Sequence, residues 1–255
     1  MNGVGVRVER RGDVLWVTLE RPERRNAFDG EMIRGIEAVV GDLPQGTRAV
    51  VLAGEGTAFC AGANLEWMAG PDACETAVRP ECETISRFYA TLDALAVPLL
   101  ARVHGPAAGG GVGLAAVADL AVASETATFR LSEVRVGLLP AMIAPYVARR
   151  IGWGRTREWA LTAERIDART AMAWGLVSEV VANERLDPAV EAKLDLLRSS
   201  PPEALAAAKA FFRRVDGRGP AEAAAEALRA ISERLSSAEA RERIREFTRK
   251  GPARA

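Results

Sequence analysis

The sequence predicts an α/β fold with a largely parallel core sheet and a helical C-terminal region. Three observations point there. A short, uncharged apolar run at 49–53, and further apolar runs at 99–103, interrupted by Arg102, and at 120–123, have the length and composition of buried strands. Helix-forming stretches and turns separate them, which is the alternation that parallel strands require. From residue 186 onward the pattern is mostly helical, so the chain reads as an α/β core over 1–185 and a helical subdomain over 186–255.

Residues 4–10 and 14–19 flank Arg11-Gly12-Asp13 and read as a hairpin or two neighbouring strands. Asp29 suits the N-cap of an amphipathic helix running through Val40 and ending at Gly41. The run at 49–53 opens into a loop of small residues, 54–64. A helix is expected over 81–96, stopping ahead of Pro98. The run at 99–103 leads into a glycine-rich turn at 105–111, a short helix over 112–118 and the strand at 120–123. In the tail, Pro201-Pro202 suits a helix start, 204–212 is a strong helix former, and 221–236 and 238–247 continue the helical character.

Charge and composition exclude several function classes. Lys plus Arg and Asp plus Glu are equal at 34 each, so no basic excess argues for nucleic acid or a membrane surface. Cys60, Cys74 and Cys82 show no paired spacing, against both a disulfide framework and a cysteine zinc site. A single histidine, His104, rules out a histidine-rich metal site. No metal or redox cofactor is implied. The N-terminus lacks the apolar core of a signal peptide. The longest run of small uncharged residues, 106–118, is too short and too glycine-rich to span a bilayer. A cytoplasmic protein without a membrane partner is expected.

Three segments carry candidate chemistry. His104-Gly105-Pro106-Ala107-Ala108-Gly109-Gly110-Gly111-Val112-Gly113 leaves backbone N–H groups uncovered between a buried strand and a helix, where they can donate to an anion or a polarised oxygen. A tight turn needing positive φ or close packing explains the same glycines without a ligand. Gly111-x-Gly113-x-x-Ala116 also matches a dinucleotide fingerprint formally, but Glu125 follows too early to serve as the ribose ligand. Ala58-Phe59-Cys60-Ala61-Gly62-Ala63-Asn64-Leu65-Glu66-Trp67-Met68 is a second stripped loop after a strand. Facing the first, it would present two N–H groups to one oxygen, the geometry of an oxyanion hole. In the third segment Glu133 stands among apolar residues. It reads either as a desolvated general acid or base or as a surface carboxylate paired with Arg130 or Arg135.

Taken together, four blocks resemble the enoyl-CoA hydratase/isomerase (crotonase-like) family in order and separation. They are Arg21-Pro22-Glu23-Arg24-Arg25-Asn26-Ala27-Phe28, Phe59-Cys60-Ala61-Gly62-Ala63-Asn64-Leu65, the stretch 105–114, and the stretch 129–140. The resemblance implies a spiral of ββα units with a helical C-terminal region, a homotrimer or hexamer, and an acyl-CoA substrate. It places the thioester oxyanion donors at the amides of Ala63 and Gly110. It lines the thioester and pantetheine channel with Ala61, Gly62, Asn64, Leu65 and Glu66, and sets Arg24, Arg25 and Ala27 near the CoA entrance.

Hydratases of the family use two glutamates. The second position falls on Glu133, but the first falls on Gly113, which can neither hold a water nor transfer a proton. Asn64 replaces a usual Asp, Arg130 stands where small residues are usual, and Pro140-Ala141-Met142-Ile143-Ala144-Pro145 replaces a glycine-rich turn. Several of these features resemble bacterial hydratases of methylglutaconyl-CoA and related branched substrates. Arg130 becomes a candidate partner for a substrate carboxylate, or alternatively a cap on Glu133. Trp67 and Met142 read equally as pocket walls or as core. The resemblance thus implies water addition to a 2-enoyl-CoA, with double-bond isomerisation through Glu133 alone as the second reading. The third is a non-catalytic acyl-CoA-binding protein.

Overall fold

The computed structural model describes residues 5–69 and 74–250. They form two compact units that part between Leu194 and Asp195. The strands are β1 (Val6–Arg11), β2 (Val14–Leu19), β3 (Ala49–Gly54), β4 (Leu99–Val103), β5 (Ala107–Ala108), β6 (Leu120–Ser124), β7 (Thr128–Arg130), β8 (Ile166–Asp167) and β9 (Glu179–Val181). The helices of the first unit are α1 (Gly30–Gly41), α2 (Leu65–Met68), α3 (Glu75–Asp93), α4 (Gly110–Val117), α5 (Ala144–Ile151), α6 (Trp153–Thr162), α7 (Ala168–Trp174) and most of α8 (Leu186–Arg198).

The main sheet has six strands in the order β1-β2-β3-β4-β6-β9. β1 and β2 are the antiparallel hairpin turning at Gly12, and every other pair in this sheet is parallel. Burial on both faces explains the uninterrupted apolar runs: all of β2, and all of β3 but its last residue, are buried. α1 starts where the side chain of Asp29 accepts from the amides of Glu31 at 3.1 Å and Met32 at 3.0 Å. It buries Met32, Ile33, Ile36, Val39 and Val40.

α3 begins at Glu75, earlier than expected, and carries Pro80 within it. Its buried face, Ile85, Phe88, Tyr89 and Leu92, lies entirely beyond that proline, so packing secures the helix where the missing N–H does not matter. The expected division at 185/186 falls at the start of α8. Leu186, Ala189, Val190 and Leu194 are buried there, and Asp187 and Lys193 pair with Arg102 and Glu179 of the sheet. Those contacts tie the first turns of α8 to the core.

A smaller sheet, β5-β7-β8, positions the candidate site. β5 pairs with β7 in parallel, Ala107 opposite Phe129 and Ala108 opposite Arg130. An isolated bridge then joins Cys60 to Ala107. The three segments singled out from sequence therefore lie side by side. The second unit contains α9 (Pro202–Val215), α10 (Pro220–Ser236) and α11 (Ala238–Lys250); Glu222 accepts from the Gly219 amide at 3.1 Å where α10 starts, and Ser237 accepts from the Ala240 amide at 3.1 Å where α11 starts. Its large apolar side chains, among them Phe212, Leu228, Ile231 and Leu235, are exposed in the isolated chain.

Candidate active site

The loop after β3 is held by an asparagine. Asn26 sits in the left-handed region at φ 56° and is fully buried. Its Nδ2 donates to the carbonyls of Glu55 and Ala58, each at 2.8 Å, and its Oδ1 accepts from the amide of Arg21 at 2.9 Å. The Cys60 thiol donates to the Asn26 carbonyl at 3.1 Å. The block 21–28 thus acts first as a scaffold for the loop at 54–63.

That loop is laced to the glycine turn. The amide of Phe59 donates to the Pro106 carbonyl at 3.0 Å, and the amide of Ala108 donates to the Cys60 carbonyl at 3.0 Å. Gly62 adopts φ +97°, and a side chain there would meet the Ala108 carbonyl oxygen at 2.8 Å and the Gly110 nitrogen at 3.0 Å. Only a glycine allows the two loops this approach. Among the described residues, the amides of Ala63 and Gly110 donate to no protein acceptor, while their neighbours Asn64 and Gly109 pair with the carbonyls of Phe28 and Arg130. Two free donors are left beside each other on adjoining loops, one of them at the start of α4.

Glu133 stands over this pair. It opens a short 3₁₀ turn after β7, and its Oε1 lies 3.3 Å from where a side chain on Gly109 would begin. Its Oε2 is buried without a hydrogen-bond partner. Burial raises the carboxyl above its ordinary range, against smaller opposing contributions from the backbone amides of Glu133 and Ser132. Among the described residues no ion pair ties it to Arg130 or Arg135, so the reading of a paired surface carboxylate fails.

The cavity between these groups measures about 220 Å³. Of the residues proposed from sequence, it brings together Ala61, Gly62, Ala63, Leu65, Gly110, Glu133, Pro140 and Met142. Its apolar wall includes residues that sequence reasoning missed: Phe28, Ile85, Tyr89, Leu138, Leu139 and Ile143. Ile85 and Tyr89 could have been found only as the apolar stripe of α3, which reads equally as core.

Other proposed residues lie elsewhere. Trp67 packs on α1, its ring 3.1 Å from the point where a Gly30 side chain would start, and is therefore core rather than cavity wall. Asn64 caps α2 through Glu66 N at 2.9 Å, a task either Asn or Asp performs. Arg24 reaches Glu66 at 3.9 Å on the surface, and Arg25 and Ala27 also fall outside the cavity. Arg130 does not line the cavity and does not cap Glu133. Burial first, and then the charges of Arg135 and Arg165, hold its guanidinium below the usual range, and its Nε is buried without a partner. Arg135 is the arginine at the cavity. His104 is spent on the Gly56 carbonyl at 2.9 Å.

Gly113 explains its own identity. A side chain there would run into Ile143 and meet the Tyr89 hydroxyl at 2.8 Å. Gly111 likewise lies against the Cys60 carbonyl, so the apparent dinucleotide fingerprint is helix packing. Among the described residues no group of three or more His, Cys, Asp and Glu gathers as a metal site, and no helix is long and apolar enough to cross a membrane.

Two amides and one desolvated carboxyl in an apolar cavity define a site that can polarise a carbonyl and move protons beside it. The family model described as enoyl-CoA hydratase/isomerase matches residues 9–254. A Rhodobacter capsulatus protein named "Probable enoyl-CoA hydratase" is 34% identical over 250 residues, covering 97% of this chain and 96% of that one. The crystal structure of an enoyl-CoA hydratase from Mycobacterium smegmatis superposes with a TM-score of 0.92 at 31% identity, over 96% of both chains. A Thermobifida fusca relative solved in complex with CoA gives a TM-score of 0.84 at 31% identity, over 91% of this chain and 93% of that one. The chain belongs to the enoyl-CoA hydratase/isomerase family, with the crotonase-like fold expected from its sequence blocks, and is an enzyme of that family.

Proposed function

We propose that this enzyme adds water to, or removes it from, a 2-enoyl-CoA, using Glu133 as its only carboxyl. The observation that carries the reading is the Glu133 carboxyl, desolvated and with one oxygen unpartnered, beside the free amides of Ala63 and Gly110. The thioester oxygen accepts hydrogen bonds from those two amides. Glu133 takes a proton from water as the water oxygen bonds to C3, and the C2=C3 electrons pass into the thioester enolate. The same carboxyl then gives its proton to C2, so the hydroxyl ends on C3 and the proton on C2. Preplaced donors in a site of low polarity stabilise the enolate more than water would.

A single carboxyl also suits isomerisation, in which Glu133 removes a proton from C2 of a 3-enoyl-CoA and returns it to C4. The branched apolar wall and Arg135 at the cavity support an acyl group that is branched or carboxylated. The exposed apolar side chains of α9 and α10 support self-association into a trimer or hexamer, which mass photometry of the purified chain measures.

The test is incubation with crotonyl-CoA, 3-methylglutaconyl-CoA and a 3-enoyl-CoA in isotopically labelled water, with products read by mass spectrometry. Water addition that Glu133→Gln abolishes supports hydration. A shifted double bond without water addition makes the enzyme an isomerase. No change in any substrate refutes both readings.

A further inference from the structure

We propose that Tyr89 is a positioning residue that holds the Gly110 amide on target, and that Gly113 is the condition for its doing so. The inference rests on the reading of Gly110 as an oxyanion donor.

The Tyr89 hydroxyl donates to the Gly110 carbonyl at 2.6 Å. The same oxygen lies 3.1 Å from where a side chain on Gly110 would start and 2.8 Å from where one on Gly113 would start. One phenolic oxygen thus borders the space of two absent side chains on successive turns of α4, together with the Phe28 ring at Gly110 and Ile143 at Gly113. Any residue larger than glycine at 113 would press on Ile143 and on this oxygen. Tyr89 is 0% exposed, and its ring packs on Phe88 at 5.5 Å and Tyr146 at 5.6 Å between centroids. Burial also lifts the phenol well above its ordinary range, so it stays a donor.

The backbone needs the brace. Gly109 is at φ 50°, ψ −121°, and Gly109, Gly110 and Gly111 are consecutive. Glycine gives the weakest restraint on backbone orientation. The Gly110 amide has no protein acceptor of its own among the described residues; its peptide plane is held through the Gly109 carbonyl, which accepts from Val112 at 2.9 Å and Gly113 at 3.3 Å, and the Gly110 carbonyl sets the plane that follows. The Tyr89 bond fixes the Gly110 carbonyl, and the Phe28 ring closes against the same residue. The missing acid is thus an exchange, in which the position gives up a carboxyl and the chamber gains a fixed donor.

Tyr89→Phe keeps the ring and removes the hydroxyl. We expect kcat for the preferred enoyl-CoA to fall about tenfold with KM within about twofold, because the donor is loosened rather than deleted. A bound 2,4-dienoyl-CoA reports carbonyl polarisation directly through its red-shifted ultraviolet band, whether or not it turns over. That shift should shrink in the variant, while the pH profile set by Glu133 stays in place. A lower melting temperature with an unchanged red shift would show a merely structural role and overturn the proposal, as would unchanged kcat.

If the parent shifts the dienoyl-CoA band but turns over no enoyl-CoA, the hydratase reading fails, and the band alone decides on Tyr89. If the parent binds dienoyl-CoA with no shift, this inference fails with Gly110 as donor. Should Tyr89→Phe not fold, 3-fluorotyrosine in a Tyr146→Phe chain modifies Tyr89 alone, because the sequence holds two tyrosines. The stronger donor should enlarge the shift, and no change would overturn the proposal.

Discussion

Gly113→Glu restores the acid that two-glutamate hydratases carry, yet here it should cost stability and gain no rate. The Cβ alone would collide with the Ile143 side chain and approach the Tyr89 hydroxyl to 2.8 Å. Both neighbours are buried, Ile143 at 3% and Tyr89 at 0% exposed, so relief requires them to move into the cavity that they line. Overpacking a close-packed site costs about 1–3 kcal/mol. A buried carboxyl with no hydrogen-bond partner adds about 1–3 kcal/mol more. The sum, about 2–6 kcal/mol, corresponds to a fall in melting temperature on the order of 10 °C for a chain of this size. Differential scanning fluorimetry measures it directly. Adding Ile143→Ala opens room, so the double variant should be more stable than the two single losses predict, by about 0.5–3 kcal/mol. The steric account is refuted if Gly113→Glu melts within about 2 °C of the parent and hydrates crotonyl-CoA faster.

Glu133→Gln should stabilise the folded chain at neutral pH while abolishing turnover. The folded pKa of Glu133 is raised, so its neutral form is favoured by folding. Its contribution is therefore best below the unfolded pKa and is lost as pH rises through the folded value, at about 1.4 kcal/mol for each pH unit that separates the two. The two proteins should melt together near pH 4 and separate by pH 8, with the glutamine form higher; the reverse order would contradict the desolvation argument. Cys60 is buried and its thiol is pushed up to about 12, so a maleimide should modify Cys74 and Cys82 in the native protein and Cys60 only in denaturant, as peptide mass spectrometry will show. Arg135→Ala should raise KM for a carboxylated enoyl-CoA by about tenfold relative to crotonyl-CoA, and Arg130→Ala should not. Equal effects of both variants on both substrates would remove Arg135 as the carboxylate partner.

What was legible in the sequence follows from how locally each feature is determined. The strands at 49–53 and 99–103 could be read because burial on both faces leaves the run almost wholly apolar, whatever the neighbours are. The loops at 58–63 and 104–111 could be read because small residues strip a backbone visibly. Glu133 was half legible. Its apolar surroundings fit either a desolvated acid or a surface ion pair, and only the absence of a partner on Oε2 decides between them. Arg130 was misplaced because alternation along a three-residue strand does not fix which way a long side chain turns, whereas pairing of Ala108 with Arg130 and the 3₁₀ turn after it bring Arg135 to the cavity.

Tyr89 was not legible at all. On α3 it is one apolar position in a stripe with Ile85, Phe88 and Leu92, and nothing in its spacing says that its hydroxyl ends between two glycines of another helix. The only trace it left was at the other end of the contact, as a glycine where an acid was expected. A departure from a family pattern at a buried position is therefore best read as a statement about volume before it is read as a loss of chemistry. At Gly113 the volume belongs to Ile143 and to the oxygen of Tyr89, and the chemistry that remains is the chemistry those two neighbours permit.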